Sequence, residues 1–140
     1  MFTLNFIFNK KKDYFQRKRQ GIQYSIWDLE FKRFKAKELR EDMRQAYDDA
    51  KQKLQGIEVT KTTAEEAKTL PKEELARLDD QIVLLKRDIE RYESQMRSID
   101  VQIFGSKQTN EYPEGYEGIE QNLDGLRELL AMVDDYLKRL

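Results

Sequence analysis

The sequence predicts an all-α protein: an elongated coiled-coil helical hairpin or three-helix bundle, with a short extended, strand-like segment at its N-terminus. Three observations carry that expectation. Apolar residues recur at three-and-four spacing over long stretches, and only two prolines and six glycines interrupt 140 residues. Charged residues reach 38% at a mean hydropathy of −0.89, too polar for a sandwich or a doubly wound sheet. Chains rich in Ala, Glu, Lys, Leu and Arg with seven-residue periodicity read as coiled coil.

The clearest element spans residues 71–104. Leu75, Leu78, Ile82, Leu85, Ile89, Tyr92, Met96, Ile99 and Ile103 follow three, four, three, four without a slip, a heptad seam. Pro71 suits a first helical turn, Glu73 and Glu74 suit its positive end, and Gly105 marks the stop. A second seam fills residues 118–140: Ile119, Leu123, Leu126, Leu130, Val133, Leu137 and Leu140. Gly125 lies inside it at a cost of about 1 kcal/mol relative to Ala, for which close helix approach is a reason. Residues 105–118, with Pro113 and Gly115, read as a loop long enough to suggest ordering on a partner.

Upstream, Ser25 and Asp28 resemble a capping box opening a helix over residues 22–55. Leu29, Ala36, Leu39, Met43, Ala46, Ala50 and Leu54 are its expected seam, and its pattern can be traced back through Gly21 towards Lys10. GIEVTKTT reads as a break, with Thr63 and Glu66 capping a short turn before Leu70. Acid-to-base pairs such as Asp28–Lys32, Glu93–Arg97 and Asp135–Arg139 stand four apart, each adding about 0.2–0.5 kcal/mol. The high charge content is thus mainly the solvated face of helices. On this basis residues 1–20 form an apolar and then basic arm, and residues 21–140 a helical coiled-coil domain.

The arm begins MFTLNFIFN. Phe2, Leu4, Phe6 and Phe8 alternate with polar residues, the period of a strand with one apolar face. No convincing second strand follows, so three fates are open: strand addition to a partner, packing against the bundle, or contact with a membrane surface, the last least favoured. Lys10, Lys11, Lys12, Arg17, Lys18 and Arg19 come next, around Tyr14 and Phe15. Basic clusters with aromatics attract phosphate backbones and bases, and Lys32 and Arg33 extend the set. A solvated arm is the plain alternative.

The net charge of −1 hides a gradient. Residues 1–40 hold eleven Lys or Arg against four Asp or Glu, and residues 105–140 hold four against eight. Such asymmetry marks a partner surface.

Tyr24, Trp27, Phe31 and Phe34 form an aromatic stripe at spacing three, four, three. The apolar stripe of Ile22, Ile26 and Leu29 lies roughly 140° away round the same helix at 100° per residue. One side meets the protein's own bundle. The other calls for a third helix, the N-terminal tail or a partner.

The chain has no His and no Cys, which excludes His- or Cys-based triads, imidazole and thiolate metal sites, and disulfides. No P-loop or dinucleotide fingerprint occurs, and the adjacent acid pairs Asp48–Asp49, Asp79–Asp80 and Asp134–Asp135 diverge by about 100° on a helix. No cofactor, metal or small-molecule substrate is expected. No apolar run reaches membrane-spanning length, and residues 2–8 lack the form of a signal peptide, so the expected setting is cytoplasmic or an intracellular assembly. The leading expectation is a non-enzymatic structural or adaptor protein, acting through a protein partner or as a homo-oligomer. The alternative is a nucleic-acid-binding or accessory protein using the basic arm.

Overall fold

A computed structural model describes the backbone of residues 2–140 and the side chains of residues 7–140. Among the described residues the chain forms three α-helices and no strand: α1 (Phe2–Ala67), α2 (Lys72–Phe104) and α3 (Ile119–Arg139). An all-α helical architecture is therefore the fold.

Helix α1 is far longer than its sequence pattern suggests, and it corrects three expectations. Residues 2–9, expected to be extended, are its first turns. A helix satisfies its backbone hydrogen bonds internally, whereas a strand with nothing to pair with leaves them open. Ser25 and Asp28, expected as a cap, stand mid-helix for the same reason. GIEVTKTT does not break the helix either. The hydroxyls of Thr60 and Thr62 donate to the carbonyls of Gly56 (2.8 Å) and Glu58 (2.9 Å) one turn back, so these threonines are accommodated within the helix. Ala50, Leu54, Ile57, Lys61 and Ala64, at spacing four, three, four, three, are all buried or half-buried. That continuing seam outweighs about 1 kcal/mol for Gly56. The true stop is Lys68, whose φ of 54° is left-handed, followed by Pro71 opening α2.

The chain divides into two compact units, Lys37–Asp100 and Met1–Ala36 with Val101–Leu140. In the first, α1 and α2 run antiparallel. Arg40 grips Asp100 through Nε (2.5 Å) and Nη2 (3.2 Å), Tyr47 donates to Glu93 (3.1 Å), and Lys61 pairs with Asp79. Residue numbers fall on α2 as they rise on α1, in one unshifted register. Small Ala50 and Ala64 are buried on α1, and Ile89 and Ile99 are buried on α2. All nine positions of the α2 seam, Leu75 to Ile103, are buried or half-buried. Leu39, expected in the α1 seam, is 47% exposed.

In the other unit α1 packs antiparallel on α3. Ile22, Ile26, Leu123 and Val133 form its buried core, flanked by Phe15, Leu29, Ile119, Leu126, Leu130 and Leu137. Each buried aliphatic side chain contributes about 1.5–3 kcal/mol. Ion pairs line the edges: Arg19–Asp134 (2.5 Å), Arg33–Glu120 (3.1 Å) and Arg127–Glu30 (3.4 Å). These side chains are part-exposed, so each contributes at most about 1 kcal/mol.

The loop before α3 is ordered by its own contacts. Ser106 and Tyr116 exchange two backbone hydrogen bonds of 2.8 Å, and Tyr112 packs on Tyr116. Gln121 accepts from the Gly118 amide (2.8 Å) and donates to the Phe104 carbonyl, tying the end of α2 to the start of α3. Gly105 has φ +77°, and a Cβ there would stand 2.5 Å from the Tyr116 carbonyl oxygen. By contrast nothing lies within 4 Å of a Cβ at Gly125, so close helix approach does not account for that glycine.

Candidate interaction surface on helix α1

The side of α1 that carries Ile22, Ile26 and Leu29 faces α3, as its burial shows. The aromatic stripe, roughly 140° away, is left outside. Tyr24 is 57% exposed, Trp27 55%, Phe31 60% and Phe34 57%. Among the described residues, neither a third helix nor the N-terminal segment covers these four. Three of them make contacts along their own helix: Gln20 donates to the Tyr24 hydroxyl (3.2 Å), the Tyr24 ring meets Trp27 edge-on at 5.6 Å, and the Lys35 ammonium lies 5.6 Å from the Phe31 centroid. Gln16, Arg19, Gln20 and Gln23 join Tyr24 and Trp27 around a shallow hollow. A contiguous row of half-exposed rings, rimmed by amides and cations, has the make-up of a protein interface core.

The other expected docking residues are less informative. Phe8 is 43% exposed, next to Ile7 at 48%, whereas the side chains of Phe2, Leu4 and Phe6 lie outside the described ones.

The helix disperses the basic cluster. Lys10 and Arg17, Lys11 and Lys18, and Lys12 and Arg19 form three pairs seven apart, each about 100° from the next round α1. Arg19 and Arg33 are engaged with Asp134 and Glu120 on α3, and Lys32 with Asp28 (3.0 Å). The eight cations therefore do not form one stripe along which a phosphate backbone could run.

A second row of exposed apolar side chains, not anticipated from the sequence, lies on α3: Leu129 (39%), Met132 (68%) and Tyr136 (47%). Its signal was the three-and-four spacing of these residues, parallel to the deeper seam of Leu126, Leu130 and Val133. Tyr136 leans on Phe15 at 4.5 Å between ring centroids.

Perturbed titrations reflect surface pairing. Hydrogen bonds to Asp100 and Asp79 raise the pKa values of Arg40 and Lys61, and the Arg44 guanidinium lowers that of Glu41. Among the described residues, no group of three or more acidic side chains gathers as a metal site, and no helix is long and apolar enough to cross a membrane. No family model, curated protein or solved structure matches the chain.

Proposed function

We propose that the chain is a non-enzymatic structural or adaptor protein, whose helix pairs form a coiled-coil body and whose aromatic stripe on α1 docks into a larger protein assembly inside the cell. One observation carries this reading: Tyr24, Trp27, Phe31 and Phe34 stand more than half exposed, while the opposite face of the same helix is buried. Aromatic side chains bury about 150–250 Å² each when covered and dominate interface energetics. Leaving four in water along one helix face favours a partner that covers them. The dispersal of the basic residues supports a protein over a nucleic acid as that partner.

Site-specific photocross-linking tests it. A photoreactive phenylalanine replaces Trp27 or Phe31 in the cells that make the protein, with Ser25 as a control position on the same helix. Protein adducts at 27 and 31 and none at 25 are expected. Absence of protein adducts, or adducts to nucleic acid, would overturn the proposal.

A further inference from the structure

The first turns of α1 are exposed on every side. All residues from Ile7 to Tyr14 are exposed, about two turns of helix, before Phe15 meets Tyr136. Ile7 is 48% and Phe8 43% exposed, and the sequence before them adds Phe2, Leu4 and Phe6, with Thr3 and Asn5 as its uncharged polar members. Three fates are open to such a segment. Strand addition needs an extended chain, and residues 2–9 are helical. Packing against the bundle needs a covered face, and residues 7–14 have none. A lipid surface remains.

The charges that follow fit that surface. Residues 1–27 hold six cations and one carboxylate, Asp13. Arg19 is held by Asp134, and Lys10 makes an interaction of its own. Lys11, Lys12, Arg17 and Lys18 still outnumber Asp13. The last two turns of α3, beside Phe15, are balanced, with Asp134 and Asp135 against Lys138 and Arg139. Lys11 and Lys18 share one side of α1, and Lys12 and Arg17 stand about 100° away in opposite directions. That spread gives a nucleic acid no stripe to follow, but a helix entering a lipid layer meets headgroups on every side. Residues 2–9 span about 12 Å, enough to reach the acyl boundary and too short for a hydrocarbon core of about 30 Å.

We infer that the start of α1 is a membrane-surface anchor: its first two turns enter the acyl boundary of a negatively charged bilayer, with Lys11 and Lys12 among the phosphate headgroups. Arg17 and Lys18, about 10 Å further along, stay within reach of the surface potential. Their aliphatic stems let such cations lie along apolar surface while the charge stays in water. This site is separate from the aromatic stripe and holds the body at a lipid surface whatever covers that stripe.

Vesicle binding of the full-length protein tests it. The chain has no cysteine, so Phe8→Cys and Ser25→Cys each provide a single exposed position for an environment-sensitive fluorophore. With vesicles of phosphatidylcholine and phosphatidylserine in equal parts, the label at position 8 should report an apolar setting and the label at 25 should not. Phosphatidylcholine vesicles alone should change neither. Cosedimentation with the mixed vesicles reads two double variants at positions exposed in the single chain. Lys11→Gln with Lys12→Gln should weaken binding about 25-fold, a factor of about five for each cation. Ile7→Ser with Phe8→Ser should weaken it at least about tenfold.

No binding to the mixed vesicles overturns the inference, as does equal binding to the neutral ones. So does binding that either double variant leaves intact; if the serine pair does so, the protein adsorbs by charge alone. A label at position 8 that turns apolar without vesicles as protein concentration rises assigns the segment to a second copy, and also overturns it.

Discussion

Leu123→Ala measures the core of the unit formed by α1 and α3. Leu123 exposes none of its surface and belongs to one core cluster with Ile22, Ile26 and Val133, which are themselves nearly buried. The substitution removes three carbons, costing about 2.4 kcal/mol of transfer free energy at about 0.8 kcal/mol each. Incomplete collapse around the gap brings the total to about 3 kcal/mol. Trp27→Ala removes far more atoms, but the residue is 55% exposed and its ring meets Tyr24 of its own helix edge-on. In dilute protein it should therefore cost no more than about 1 kcal/mol. Hydrogen exchange of α3 amides reads both, since a 3 kcal/mol loss accelerates exchange through opening by about 150-fold. Losses of equal size for the two variants, or a larger one for Trp27→Ala, would refute the division of α1 into a buried and an unburied apolar face.

Further substitutions probe the helices, the loop and the surface pairs. Gly56→Ala should stabilise the protein by about 1 kcal/mol, because the residue is mid-helix with nothing within 4 Å of an added Cβ; a loss in thermal denaturation would mean that α1 is interrupted there. Gly105→Ala forces a Cβ against the Tyr116 carbonyl at φ +77° and should cost about 2 kcal/mol, seen as lost protection of residues 105–118. Lys61 gains a partner in Asp79, with Glu65 also 3.7 Å away, so its pKa is raised on folding. That contribution is complete below the unfolded lysine value of about 10.4 and is lost as pH rises through the higher folded value. The stability gap between wild type and Lys61→Met should accordingly narrow in strongly alkaline buffer, and a constant gap would exclude the linkage.

The fold was legible where three-and-four spacing met no competing signal. The seams from Leu75 to Ile103 and from Ile119 to Leu140 need only helical periodicity, and their residues are the ones that α2 and α3 turn inward. Helix α1 was legible only in its middle. Gly56 and the threonines after it imitate a break because local propensity is weaker than a continuing packed seam. Phe2 to Phe8 imitate a strand because period two is visible in the side chains, while the decisive term is the missing hydrogen-bond partner. The candidate surface was legible as a phase difference between Tyr24–Phe34 and Ile22–Leu29. Which phase meets α3 was not, since both are apolar and only the three-dimensional packing of Leu123 and Val133 decides.

The most direct test of the docking surface is oxidative footprinting of Tyr24, Trp27, Phe31 and Phe34 by a brief pulse of hydroxyl radicals, in cells and in dilute purified protein. Met132, 68% exposed on α3, serves as the internal reference. The account predicts fast labelling of all four rings in dilute protein and strong protection of the same four in cells, with Met132 labelled in both. Rings labelled as fast in cells as in dilute solution would contradict it.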